Sequence, residues 1–273
     1  MEKKLPNLSV LVERKPPTRL AVTKKNDHHF RNMNRFLLTA LFLTATFQTA
    51  RAELADKSEL YTGKEYTNAF AMPKDDPELP NVLLIGDSIS IGYTVDVRKI
   101  LIGKADVFRI PTNGQASDFG LQNLDKWLGD RKWDVIHFNW GLWDICYRNP
   151  DSKEQGHRDK LNGTLSVTPG QYRENLEKIV LRLKESGAEL IWCATTPVPE
   201  GEAGRKVGDE IIYNRIAAKI MGKHGVATND LHAHALKKLP GIALKKGDVH
   251  FTAAGCAHLA EKVAETISTR LKP

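Results

Sequence analysis

Two short segments of the chain hold residues suited to nucleophilic catalysis. Gly86-Asp87-Ser88-Ile89-Ser90 follows the apolar run Val82-Leu83-Leu84-Ile85 and opens a helical stretch. A serine on such a strand-to-helix turn stands above the sheet with the first helical amides beside it. Those amides can hold a developing oxyanion. The hydroxyl needs a base to attack. Read alone, Ser88 could equally be a helix cap. A candidate base lies far downstream, in Asp248-Val249-His250-Phe251-Thr252. Histidine is the side chain best suited to take a proton near neutral pH. A lone loop histidine would read as structural, and its pairing with an elbow serine favours chemistry. Activity should then fall in acid as His250 takes up a proton, and a flat profile down to about pH 5 would argue against this base.

The elements that must position this pair alternate along the chain. Residues 82–85 read as a buried strand, bounded by Pro80 and Gly86. Helix is predicted over 88–102, 118–130, 169–186, 207–224 and 253–271. Further strands are predicted over 105–110, 134–140, 189–196 and, more weakly, 226–231. Leu121, Leu124 and Leu128 share one helical face. Thr168-Pro169 opens its helix and Gly187 closes it. Five strands alternating with helices imply an α/β fold with a parallel sheet covered on both faces. Ligands in such sheets bind beyond the carboxyl ends of the strands. That rule selects the turns at 86–88, 111–116, 141–147 and 196–202, and the segment before the last helix. A long loop, 142–168, is rich in charge and glycine, and such loops are often functional. No G-x-x-x-x-G-K-[ST] or G-x-G-x-x-G is present, which argues against a nucleotide or flavin binder.

The charge is confined to one end. The 273 residues carry 40 Lys+Arg and 33 Asp+Glu, a formal charge of +7. Residues 1–52 hold ten of the basic and three of the acidic side chains, so the other 221 residues carry 30 of each. A nucleic-acid partner suggested by the basic balance thereby loses its main support. Arg35 followed by the apolar run Phe36 to Ala50 reads as a signal peptide over 33–52. The run is short of the roughly 20 apolar residues a span requires. Ala50 and Ala52 give a small-x-small pattern, so cleavage is expected after Ala52 and leaves no stable membrane span. Residues 1–32 read as an extension ahead of a start at Met33, and 53–79 as a polar lead-in to a domain over 80–273. The expectation is an exported protein, periplasmic or secreted. Cys146, Cys193 and Cys256 are odd in number, so at least one thiol stays free or pairs with another chain. Cys193, in the run Ile-Trp-Cys-Ala, reads as a small buried hydrophobe. No C-x-x-C or H-x-x-x-H pair suggests zinc.

Taken in order, the turn motifs make the chain similar to the SGNH/GDSL hydrolases, an esterase and lipase family. Gly86-Asp87-Ser88 resembles the block that carries the nucleophile. Asn113-Gly114 resembles the second block, Gly141-Leu142-Trp143-Asp144 the third and Asp248-Val249-His250 the fifth. The resemblance spans about 80–270. It implies a flavodoxin-like three-layer α/β/α sandwich with a five-stranded parallel sheet. It also implies catalytic Ser88 and His250, an oxyanion held by the Ser88 and Gly114 amides, and no cofactor or metal. Asp87, Asn113, Trp143 and Asp144 would lie around the substrate pocket.

Two positions depart from the family pattern. Trp143 stands where the third block has an oxyanion-binding Asn, and indole offers a single N–H of different reach. Asn139 is a weak substitute for it. Losing one such donor can cost about 3 kcal/mol of barrier, which points to weak activity or a specialised substrate. Gly247 occupies the family's acid position, three before the histidine. Asp248, two before, is expected to orient His250, with a Ser–His dyad as the alternative. Asp144 reads as tying down its turn more than as chemistry. Trp140, Trp143 and Tyr147 could form a sugar-stacking platform or belong to the core, with core favoured for Trp140. Asn214 reads as structural and His232 and His234 as surface-turn residues. His137 shares a strand face with Asn139. The expected function is an exported serine esterase acting on a small-molecule or glycan ester, with a short acyl group on a carbohydrate favoured. The alternative is a non-catalytic carbohydrate- or peptide-binding protein on the same fold. Nothing in the sequence speaks to oligomeric state.

Overall fold

In the computed structural model, β1 (Asn81–Ile85), β2 (Asp106–Arg109) and β3 (Val135–Phe138) are joined by β6 (Glu189–Cys193) and β7 (Ala227–Asn229) in one parallel sheet. The strand order is β2-β1-β3-β6-β7. The structure describes residues 57–271. The expected extension 1–32, the signal segment 33–52, the cleavage after Ala52 and the start of the lead-in lie outside the described residues.

The central strands are apolar runs because both of their faces are covered. Val82, Leu84 and Ile85 are fully buried, as are Val135, Ile136 and Phe138. Helix α1 (Thr67–Phe70) precedes the sheet. Helices α2 (Ser88–Ile100), α3 (Ser117–Leu128), α4 (Pro169–Lys184) and α5 (Asp209–His224) follow successive long strands, and α6 (Leu231–Leu236) and α7 (Ala253–Ser268) complete the chain. Helix α2 packs on α7, whereas α3, α4 and α5 pack in a row. These two helix layers cover both faces of one parallel sheet, as the alternation implies, and make the flavodoxin-like three-layer α/β/α arrangement that the family resemblance implies. Among the described residues, no helix is long and apolar enough to cross a membrane.

Local chemistry explains the helix starts. Thr168 and Gln171 form a capping box, with Pro169 at the first position, at the head of α4. Thr252 caps α7 by accepting from the Gly255 amide. The Leu124 and Leu128 side chains of α3 are buried.

Two expectations about elements require correction, and the two readings left open for the aromatic residues are resolved. The loop 142–168 is not structureless, because β4 (Tyr147–Arg148) and β5 (Thr164–Leu165) pair antiparallel within it. His232 and His234 do not sit on a surface turn. Asp230 accepts from the Ala233 amide and starts α6, which carries both. The His234 ring then stacks on His258 with centroids 4.0 Å apart. The aromatic platform does not assemble. Trp140 is core, its Nε1 donating to the Gly114 carbonyl at 3.1 Å, and Tyr147 instead meets Asp209 and lies beneath Lys206.

Candidate active site

The β1–α2 turn and the segment before α7 converge beyond the carboxyl end of the sheet. Ser88 is the first residue of α2, and Asp87 caps that helix through a bond from the Ile89 amide at 3.0 Å. His250 is held from the other side, its carbonyl accepting from the Leu244 amide and Phe251 bridging to Ala243. Ser88 Oγ lies 2.9 Å from His250 Nε2, and His250 Nδ1 lies 2.6 Å from Asp248 Oδ1. A carboxylate only accepts, so Nδ1 carries the proton and Nε2 presents its lone pair to the hydroxyl. Burial works to raise the Asp248 carboxyl, but the bonds from the His250 ring and amide outweigh it and bring it down to about 2.

The departure at Gly247 has a backbone cause. Gly247 has φ +74, and a Cβ there would stand 2.8 Å from the Gly201 carbonyl oxygen. The position therefore favours glycine, and the carboxylate that meets the imidazole comes from the next residue.

Trp143 lines the cavity at this pair, together with Glu59, Tyr61, Gln155, Arg158 and Arg205. This cavity opens to solvent. Tyr61 is a contact that motif reading misses. Its ring stacks on His250 with centroids 4.4 Å apart, and its hydroxyl lies 3.0 Å from Nδ1. It adopts φ +53, a conformation bulky residues rarely take, so local strain coincides with the site. Its position in a polar lead-in gives no periodic signal.

The other residues expected here are placed differently. Asp87 and Asn139 line a separate small cavity with Ser90, Tyr93 and Thr196. Asn113 is fully buried, donating to the Glu59 and Leu60 carbonyls and accepting from the Gln115 amide. It fastens the lead-in to the β2–α3 turn and does not line the cavity. Asp144 is also fully buried, accepting from the Ser117 amide at 2.9 Å at the start of α3.

The expected oxyanion donors are also corrected. The Gly114 amide is committed to the Gly86 carbonyl at 2.9 Å. Gly114 must be small for a different reason, since a Cβ there would stand 2.8 Å from that same oxygen. The Asn139 Nδ2 donates to the Cys193 carbonyl at 2.6 Å. The Ser88 amide, at the first helical position, has no partner among the described residues. The Trp143 Nε1 likewise makes no hydrogen bond there.

Burial also sets the charge state of Asp144. Desolvation, opposed by the bonds from Ser117, lifts its carboxyl to about 7, and Oδ2 has no partner among the described residues. The folded chain therefore keeps a proton between about pH 4 and about pH 7 that the unfolded chain has lost. Stability contributed at this position falls as pH rises through that window and stays reduced above it. Asp144→Asn is expected to unfold near the wild-type temperature at pH 5 and at a higher temperature than wild type at pH 8. Thermal unfolding of both proteins at the two pH values checks this, and an equal difference at both would refute it.

Three potential metal ligands, His234, His258 and Glu261, cluster between α6 and α7. Each imidazole Nε2 bonds the other residue's backbone carbonyl, at 3.0 and 3.3 Å, and His258 Nδ1 lies 3.5 Å from Glu261 Oε2. The two rings are stacked 4.0 Å apart and inclined by only 20°, so a single ion cannot lie close to both ring planes, as in-plane coordination by two imidazoles requires. Cys146, Cys193 and Cys256 are free thiols, with Cys193 buried as expected.

No family model matches the sequence, and no curated protein matches it. Solved structures do. The lipase/acylhydrolase from Enterococcus faecalis aligns with a TM-score of 0.56 at 20% identity, covering 71% of this chain and 98% of that one. Axe2, an acetylxylan esterase from Geobacillus stearothermophilus, aligns at 0.54 and 20% identity, covering 69% and 94%. The acetyl xylan esterase AlAXEase aligns at 0.55 and 17% identity, covering 68% and 99%. The chain shares the fold of these proteins over nearly their whole lengths.

Proposed function

We propose that the protein is an SGNH/GDSL-type serine esterase. The observation that carries this reading is the chain of contacts from Ser88 Oγ through the His250 ring to Asp248, at 2.9 and 2.6 Å. The fold shared with acylhydrolases and acetylxylan esterases supports it. His250 Nε2 takes the proton from Ser88 Oγ as that oxygen attacks the ester carbonyl. Asp248 holds the imidazole in the required tautomer and balances the imidazolium that forms. The Ser88 amide receives the oxyanion at the α2 N-terminus. The imidazolium then protonates the departing alcohol, and water, activated by the same base, cleaves the acyl-enzyme. No step requires a cofactor.

The acetylxylan esterases favour a short acyl group on a carbohydrate as the substrate. Export is part of the proposal, supported by Arg35, the apolar run that follows it and the Ala50-x-Ala52 pattern.

Covalent labelling tests the chemistry. A fluorophosphonate probe is expected to modify the purified protein once, on the Ser88 peptide, and p-nitrophenyl acetate and butyrate are expected to be hydrolysed. Absence of both from folded protein would instead support a non-catalytic binding protein. The specific observation on that side is the commitment of the Gly114 amide and the Asn139 side chain to other partners.

A further inference from the structure

We propose that the ester cleaved at this site itself carries a carboxylate, held by Arg158 and Arg205. The inference rests on the esterase reading of Ser88 and His250. Both arginines line the same cavity as those residues.

They belong to a buried chain of alternating charges. Arg148 Nη1 lies 2.8 Å from Glu59 Oε2, and Glu59 Oε1 lies 4.0 Å from Arg158 Nε. Arg158 Nη1 and Arg205 Nη1 lie 3.1 and 2.9 Å from one oxygen of Glu202. Three guanidiniums thus share two carboxylates, and one positive charge is left over. None of the five side chains is more than 17% exposed. An excess charge in so buried a cluster favours a counter-charge that reaches it from the cavity. Among the described residues, no third carboxylate forms an ion pair with these arginines.

The donors are placed to receive such a group. Arg205 gives Nε to the Leu142 carbonyl and Nη1 to Glu202. Arg158 gives Nε to the Gln155 carbonyl and Nη1 to Glu202. Neither Nη2 bonds another described residue. The planar guanidinium fork suits a carboxylate, and bonds to the backbone and Glu202 hold both forks in place. A purely structural network would fasten the lead-in, the 142–168 loop and the 202–205 segment together. That role does not call for an uncompensated charge on the cavity wall.

The carboxylate could sit on the acyl side, as in a dicarboxylic half-ester, or on the alcohol side, as in an acylated uronate. Two matched pairs separate these sources. One is p-nitrophenyl hemisuccinate against p-nitrophenyl pentanoate. The other is a mono-acetylated methyl glucuronoside against the mono-acetylated methyl glucoside. The full chain is expected to show kcat/KM at least about tenfold higher for the acid in one pair. Arg158→Gln is expected to bring that ratio close to one, mainly through KM. Arg205→Gln is the second variant, and Arg158→Gln decides if it fails to fold, because Arg205 also anchors Leu142 and Glu202.

Hydrolysis of neutral esters with no acid preference in either pair overturns the carboxylate site and leaves the esterase reading standing. If nothing is hydrolysed, calorimetric titration of the Ser88→Ala protein with the same compounds decides. Tighter binding of an acid than of its neutral partner, abolished by adding Arg158→Gln, upholds the carboxylate site while the esterase reading fails. Equal binding, or none, overturns the site.

Discussion

Replacing Ser88 by alanine is expected to lower kcat/KM for p-nitrophenyl butyrate by about 10⁴-fold or more, or about 5.4 kcal/mol of barrier. The hydroxyl is the atom proposed to form the acyl-enzyme, and alanine offers nothing in its place. The residual rate would come from water attacking an ester still bound at the α2 N-terminus. Folding should be little affected. Ser88 Oγ bonds only the His250 ring among the described residues, and the helix cap is the Asp87 side chain. Steady-state kinetics beside a thermal melt make the test. A folded variant that keeps wild-type turnover would remove Ser88 from the mechanism.

His250→Ala is expected to lose about 10³- to 10⁴-fold, and the double variant with Ser88→Ala should fall no further than the worse single variant. Residues acting as one unit are strongly non-additive, because an unactivated hydroxyl does little and a base without a nucleophile does little. The geometry makes the dependence specific. Asp248 Oδ1 accepts from both the amide and the ring of His250, which fixes the ring's position and its tautomer together. With its carboxyl down at about 2, Asp248 stays ionised throughout the range in which histidine side chains ordinarily titrate. Kinetics of the two single variants and the double variant complete the cycle. Losses that simply multiply would mean that the two residues work independently.

Much of the fold was legible without coordinates. Apolar runs bounded by Pro80 and Gly86, or by Gly187 and Pro197, are too short for a typical helix and read as buried strands. Thr168-Pro169 marks a helix start through a side-chain oxygen legible in the sequence. The meeting of Ser88 with His250 was legible for a related reason. Each adjoins the head of a predicted helix at one end of a parallel sheet, and that architecture gathers such turns on one side.

The rest depended on contacts that leave no period in the sequence. Tyr61 stacks on His250 from a lead-in with no strand or helix pattern, so its role follows from a path across the surface and not from spacing. Asn113 and Gly114 were read as pocket and oxyanion residues. Motif position does not reveal that a neighbouring carbonyl, Gly86, already takes the Gly114 amide. Asn139 was lost to the same competition, its amide drawn to the Cys193 carbonyl on the adjacent strand. Hydrogen-bond partners are decided by which groups arrive within 3 Å, which only packing determines.

By itself, then, the sequence determined the alternation of strands and helices, a candidate nucleophile and a candidate base, and an end of the sheet for both. Those follow from local rules: apolar period, capping and turn chemistry. The sequence also pointed to Asp248 as the partner of His250, and tertiary structure added the 2.6 Å contact and the reason for the glycine before it, since the Gly201 backbone leaves no room for a side chain at Gly247. Tertiary structure alone joined Arg148, Glu59, Arg158, Glu202 and Arg205 into one buried chain of charges. These residues come from three separate segments, and charges distant in sequence interact only once the fold has brought them together and removed the water between them.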